Sequence, residues 1–154
     1  MRCRSVGRAM IAAGFGLLAA CSNEARIVCV SGFNENARQI YEFWLDNEHK
    51  SGCFGNPPGK EVGSQSWGGG GKFACGCSAT PGRRVSLFWE FAQTWDEYQK
   101  HVPPEQHTIQ VTIPQPESRY SRYLRVYFRK DGTAALQWVD DMGAPTLPLS
   151  KDTK

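Results

Sequence analysis

The chain has 154 residues, 18 basic and 15 acidic side chains, and 40% apolar residues. This length fits one domain with enough apolar residues for a core, and it excludes large multidomain enzymes and solenoids. Three of the basic residues, Arg2, Arg4 and Arg8, precede residue 20, and without them basic and acidic side chains balance. Nucleic-acid binding depends on an excess of Lys and Arg, so we expect no nucleic-acid partner.

The first element of the chain has the pattern of an export signal. Arginines precede an apolar run over residues 9–20, which is shorter than the roughly 20 residues that span a bilayer. The run ends in L-A-A-C, which resembles the bacterial lipobox, where the thiol of the cysteine carries diacylglycerol. We therefore predict a lipoprotein signal peptide over 1–20, lipidation of Cys21 and a lipid-anchored tether over 21–25.

The residue after the lipidated cysteine bears on membrane sorting. Ser22 stands where an Asp would indicate retention at the inner membrane, so the lipobox resemblance implies the periplasmic face of the outer membrane. The alternative is a secreted protein that is cleaved nearby, with Cys21 a plain cysteine.

The next segments suggest strands separated by a glycine-rich loop. Residues 26–30 are β-branched and compact, which predicts a strand. Residues 38–45 fit either a strand or a short helix, and their aromatic content favours the strand. Residues 52–71 have the composition of a loop and contain four consecutive glycines after Trp67.

The second half of the chain has clearer alternation. Asp131-Gly132 between alternating runs predicts a β-hairpin. The predicted elements are strands over 72–77, 84–91 and 107–113, a short helix or structured connection over 93–101, and the hairpin over 123–139. These elements predict a mainly β fold, an antiparallel β-sandwich or open barrel of six to seven strands with at most one short helix. The β-rich domain then covers 26–139, and the Pro-rich polar tail over 140–154 is expected to fray.

Four cysteines remain in the predicted mature domain, namely Cys29, Cys53, Cys75 and Cys77. An even number in an exported protein favours disulfides. On a strand Cys75 and Cys77 would share a face about 7 Å apart, too far to bond to each other. Each is then expected to pair with Cys29 or Cys53, and the connectivity stays open. The alternatives are free thiols or a metal site that combines Cys75, Cys77 and a histidine.

Sequence patterns of catalysis are incomplete. The frame around Ser66 has Ser64 where a nucleophile elbow needs its first glycine. The glycines before Lys72 lack the spacing and the hydroxyl residue of a phosphate-binding loop. The carboxylate pairs Asp96-Glu97 and Asp140-Asp141 fit a solvated surface. We therefore predict no catalytic residue, no metal and no cofactor, and we expect that the protein is not an enzyme.

Two segments carry residue types that are common at protein interfaces. Alternation places Arg125, Tyr127 and Arg129 on one strand face, and Arg and Tyr are frequent at interface hot spots. The glycine run next to Trp67 lets a backbone approach another surface closely. The candidate partner-binding residues are Trp67, Gly69, Gly70, Arg125, Tyr127 and Arg129. The alternative for the strand residues is an ordinary solvent-facing side of a half-buried sheet.

Over about residues 25–139 the chain resembles a group of proteobacterial lipoproteins that share a domain of unknown function. The resemblance depends on the glycine run 68–71, the cysteine-bearing strand after it, Pro81-Gly82, the strand 85–89, Ile113-Pro114 and the Asp131-Gly132 hairpin. Members often neighbour phospholipase effectors of type VI secretion, and some are regarded as their immunity lipoproteins. Here Gly76 separates two cysteines that the group has adjacent.

The resemblance implies a lipid-anchored immunity protein that binds and blocks a secreted phospholipase effector. An immunity protein needs a rigid scaffold and a complementary surface of about 1,600 Å² in total, which a domain of this size can supply. One alternative is a structural or accessory outer-membrane lipoprotein without a toxin partner. Another is a small hydrolase or a carbohydrate-binding module with an aromatic platform.

Overall fold

A computed structural model describes residues 24–150. The predicted signal peptide over 1–20, Cys21 and the last four residues lie outside the described residues. Within 24–150, no helix has the length and apolar character needed to cross a membrane.

Residues 24–150 form eight strands and one short helix, arranged as a sandwich of two four-stranded sheets. Sheet A has the order β4-β1-β7-β8, with β1 at Arg26–Asn34, β4 at Gly68–Ala79, β7 at Tyr123–Phe128 and β8 at Ala134–Val139. Sheet B has the order β3-β2-β5-β6, with β2 at Ile40–Trp44, β3 at Phe54–Gly55, β5 at Arg84–Phe91 and β6 at Gln106–Thr112. Helix α1, Trp95–Gln99, connects β5 to β6. The predicted mainly β sandwich is confirmed.

Two details of the sheets differ from the prediction. There are eight strands instead of six to seven, because β3 has only two residues and its pairing with β2 leaves no periodic pattern in the sequence. The sandwich is also not wholly antiparallel, because β1 and β7 pair in parallel. These two strands are far apart in the chain, so no turn signal shows their relative direction.

The core lies between the sheets and follows the alternation of the strands. In β5, Leu87 and Trp89 are almost fully buried, and Phe91 is nearly so. The other large residues of this core include Val30, Ile40, Phe43, Leu124, Val126 and Phe128. Burial of one strand face at a time is the usual way in which a two-sheet sandwich removes apolar surface from water.

All four candidate cysteines form disulfides, which confirms the prediction of two bonds. Cys29 pairs with Cys75 between β1 and β4, and Cys53 pairs with Cys77, linking the residue before β3 to β4. One bond therefore lies within sheet A, and the other joins the edges of the two sheets. Because every one of these sulfurs is bonded to another, none is a thiolate ligand for a metal.

The expectation that Cys75 and Cys77 share a face was wrong. Cys77 is fully buried in the core, whereas Cys75 is exposed. Gly76 between them adopts a φ of +92°, which interrupts the alternation of side chains along β4. The β1–β4 register also shifts between Val28 and Cys29, directly opposite this position.

The C-terminal segment over residues 140–150 does not fray. It crosses the outer face of sheet A, where the Arg125 guanidinium donates to the Ala144 carbonyl at 3.0 Å. The indole N–H of Trp67 donates to the Leu147 carbonyl at 2.8 Å. Side chains of the sandwich thus bind backbone carbonyls of the segment, and a Pro-rich polar sequence gives no sign of such bonds.

Candidate partner-binding site

Four of the six predicted partner-binding residues meet around Phe33 on the outer face of sheet A. The Arg125 guanidinium lies 5.4 Å from the centre of the Phe33 ring, and the Tyr127 ring stacks on Phe33 with centroids 4.9 Å apart. Trp67 packs edge-on against Tyr127 at 5.0 Å, and the Arg129 guanidinium lies 5.7 Å from the Trp67 ring. The sequence pattern therefore identified residues that lie together in space.

These residues do not, however, form an open surface. The exposed fraction is 3% for Arg125, which bonds to backbone carbonyls of the 140–150 segment, and zero for Tyr127, whose ring packs against Phe33 and Trp67. Arg129 is half-buried and donates to Pro148 O and Ser150 Oγ of the same segment, each at 3.3 Å. Alternation along a strand shows which residues share a face, but it does not show whether another part of the chain covers that face.

Gly69 and Gly70, the other two predicted residues, allow a close approach of neighbouring groups. A Cβ on Gly70 would lie 2.3 Å from the Phe33 ring, and one on Gly69 would lie 2.5 Å from the Gly32 carbonyl oxygen. Both glycines have positive φ, which favours glycine over other residues. The glycine run was expected to be a loop, but it forms the beginning of β4. The absence of side chains lets this part of β4 lie close to β1, its neighbour in sheet A.

Gly69 and Gly70 also line a cleft of about 540 Å³, here called the edge cleft. β3 and β4, the edge strands of their two sheets, contribute Phe54 and Phe73 to its walls. These side chains are 44% and 48% exposed. Lys72 adds the only charged side chain among the lining residues of this cleft in the described part of the chain.

A second concavity, of about 570 Å³, lies where β5 leads into helix α1 and is called here the aromatic concavity. Three large aromatic side chains line it, and Tyr41, Trp95 and Tyr98 are 62%, 74% and 61% exposed. The Trp95 and Tyr98 rings stack with centroids 5.7 Å apart, and Glu90 lies beside them. Sequence reasoning identified Trp95 and Tyr98 only as helix residues. Their isolation among polar neighbours was the available signal that the fold does not bury them.

Polar contacts hold helix α1 in place. The Thr94 hydroxyl accepts from the Glu97 backbone N–H, and the Glu97 carboxylate accepts from the Thr94 backbone N–H at 2.7 Å. Arg38 donates to the Glu97 carboxylate and to the Ala92 carbonyl, both at 2.8 Å. The hydrogen bonds from Thr94, and to a lesser degree the charge of Arg38, lower the pKa of Glu97 below its ordinary 4.5. No residue of α1 is buried.

Two of the three histidines of the chain are used in packing. His49 stacks on Trp44 with centroids 4.6 Å apart, and His107 stacks on Trp89 at 4.9 Å while contacting the Glu105 carboxylate at 2.7 Å. Among residues 24–150, no group of three or more His, Cys, Asp or Glu residues is arranged to hold a metal ion.

No family model, no curated protein and no solved structure matches this chain. The similarity to type VI immunity lipoproteins therefore stays a prediction from the sequence.

Proposed function

We propose that this chain is a lipid-anchored protein of the cell envelope, held at the periplasmic face of the outer membrane through Cys21. In this proposal it is the immunity protein of a type VI secretion phospholipase effector, which it binds and blocks. Support comes from the lipobox-like sequence, from the lipoprotein resemblance and from the two disulfides, since disulfides persist in oxidising compartments.

The observation that carries the proposal is the edge cleft. Phe54 and Phe73 stand half-exposed on either side of a cavity that the backbone of Gly69 and Gly70 lines. Exposed aromatic side chains around a concavity are typical of surfaces that anchor a protein partner. The disulfide between Cys53 and Cys77 holds the two cleft edges together, so little conformational freedom is lost on binding.

The cleft also indicates what part of the effector it takes. Its walls are mainly apolar, and Lys72 adds a positive charge. An apolar side chain of the effector fits between Phe54 and Phe73, and an acidic neighbour of that side chain would be attracted to Lys72. Blocking requires only that the bound immunity protein covers the active-site entrance or holds a mobile element of the effector, so no catalytic group is needed.

The test is capture of a phospholipase encoded beside this gene, with the full chain as bait. A Phe73→Glu variant places a charge in the apolar wall and is expected to weaken binding by about thirtyfold or more, as for an interface hot spot. The matched control is Val62→Glu, because Val62 is 93% exposed and lies outside the cleft. Both variants are first checked for an unchanged melting temperature.

Two results would contradict the proposal. One is that the unaltered chain captures no phospholipase, which would favour a structural or accessory lipoprotein. The other is that Phe73→Glu and Val62→Glu bind the phospholipase equally well, which would remove the edge cleft from the interface.

A further inference from the structure

We infer that the aromatic concavity formed by Tyr41, Trp95 and Tyr98 is a docking surface for an arginine side chain of a protein partner. The inference goes beyond the proposed function, which depends on the edge cleft. The two concavities have no lining residue in common within the described part of the chain.

The first step is that packing does not account for these three rings. A buried Tyr or Trp removes roughly 150–250 Å² from water, which is the usual reason for its presence in a fold. Here Trp95 is 74% exposed, Tyr41 62% and Tyr98 61%, so most of that stabilisation is not realised. Large aromatic residues that a fold leaves in solvent around a cavity are candidates for binding.

The second step is that the rings are already held in position. The reciprocal bonds between Thr94 and Glu97 fix the start of α1, and Arg38 ties Glu97 to the body of sheet B. After the helix, the Val102 backbone N–H donates to the Glu97 carbonyl at 2.9 Å. Because these polar bonds fix the helix, Trp95 and Tyr98 are presented without a large ordering cost on binding.

The third step is the charge beside the rings. Glu90 lines the concavity, and Glu42 lies directly opposite it in the antiparallel pairing of β2 with β5. Like charges at such opposed positions repel each other. Glu42 accepts from the Trp44 indole at 3.2 Å and Glu90 from the Gln106 amide at 2.7 Å, and both donors are uncharged. A cation that docks here from outside would offset the repulsion.

The fourth step selects arginine among cations. Its guanidinium is planar, stacks on Trp and Tyr faces and binds a carboxylate through two parallel hydrogen bonds. The surface offers both features, because Glu90 lines the same concavity as the stacked Trp95 and Tyr98 rings. A lysine ammonium would be attracted to Glu90 but has no planar group to stack on the rings. An uncharged sugar would stack on the rings but would not be attracted to Glu90.

The test is a titration of the full chain, purified in detergent, with the peptide acetyl-Gly-Arg-Gly-amide. The Trp95 indole N–H signal in NMR is expected to shift in a saturable manner. The same peptide with citrulline, which is neutral and nearly isosteric, is expected to bind about fivefold or more weakly, and Glu90→Gln should weaken arginine binding similarly. Tyr120→Ala is the control, because Tyr120 is 56% exposed and does not line this concavity.

The inference is overturned if the Trp95 signal does not saturate, or if the citrulline peptide binds as well as the arginine peptide. It is also overturned if maltose, but not the arginine peptide, shifts the Trp95 signal. This test does not involve the phospholipase, so its result is separate from capture of the effector. Arginine binding without capture supports the inference and contradicts the proposed function, and capture without arginine binding does the reverse.

Discussion

Gly70 shows how one missing side chain shapes this molecule. The strand passes so close to Phe33 that even a methyl group would overlap the ring, and the backbone also has a φ of +81°. Gly70→Ala therefore combines overpacking with backbone strain and is expected to cost about 2–5 kcal/mol of unfolding free energy.

The matched control for this prediction is Gly63→Ala. Gly63 has the same φ of +81°, but nothing lies within 4 Å of the added Cβ. Only the strain remains, so the expected loss is about 1–2 kcal/mol. Chemical denaturation of the two variants measures the difference, and equal losses would show that the contact with Phe33 does not matter.

Arg125 is expected to fasten the C-terminal segment. Its guanidinium is buried and donates to the carbonyls of Gly143 and Ala144. Arg125→Met removes these donors and leaves the carbonyls without them, so we expect a loss of about 1–3 kcal/mol and faster proteolysis within residues 140–150. Arg84→Met is the control, because Arg84 is exposed on β5 and should change stability by less than about 0.5 kcal/mol. Proteolysis at the wild-type rate in the Arg125 variant would mean that other bonds hold the segment.

At the scale of elements, the two disulfides should contribute unequally. They close loops of 46 and 24 residues, for which chain entropy predicts a similar stabilisation of about 3–4 kcal/mol each. Cys53 and Cys77 are buried, whereas Cys75 is exposed, so replacement of Cys53 and Cys77 by Ala also removes core packing. We expect the variant in which Cys53 and Cys77 are both Ala to unfold at a lower denaturant concentration than the variant in which Cys29 and Cys75 are both Ala. The opposite order would contradict this account.

Helix α1 should respond to acid. Hydrogen bonds from Thr94 lower the pKa of Glu97 in the folded protein, so ionised Glu97 stabilises the helix at and above its ordinary pKa of 4.5. This contribution is lost as the pH falls through the lowered folded-state pKa. An NMR titration of the Thr94 amide should therefore show a midpoint below 4.5, and Glu97→Gln should abolish that step. A midpoint at or above 4.5 would contradict the capping contacts.

Some elements of this fold can be predicted from local signals in the sequence, and others cannot. β5, β6 and the β7–β8 hairpin follow from alternation and from Asp131-Gly132, which are local signals. Local signals do not show the parallel pairing of β1 with β7, the two-residue strand β3 or the hydrogen bonds that hold residues 140–150 against Arg125. Each of these depends on contacts between segments that are distant in the chain. The same holds for the two concavities, which are lined by segments that are distant in the chain.

At the scale of the whole molecule, the sandwich is cross-linked by two disulfides and has two separate concavities open to solvent. The edge cleft offers an apolar opening beside Lys72, and the aromatic concavity offers rings beside Glu90. A partner that engages both would need opposite charges at the two points of contact. Such a pattern favours one orientation of binding and discriminates against other partners.

The central claim is that this chain blocks a phospholipase, and the most direct measurement is the activity of that enzyme. A phospholipase encoded beside this gene is assayed on lipid vesicles while the full chain is added in increasing amounts. The account predicts that activity falls to background at one equivalent of the unaltered chain or of Val62→Glu, and that Phe73→Glu restores it. Phospholipase activity that stays unchanged at a large excess of the unaltered chain would contradict the account.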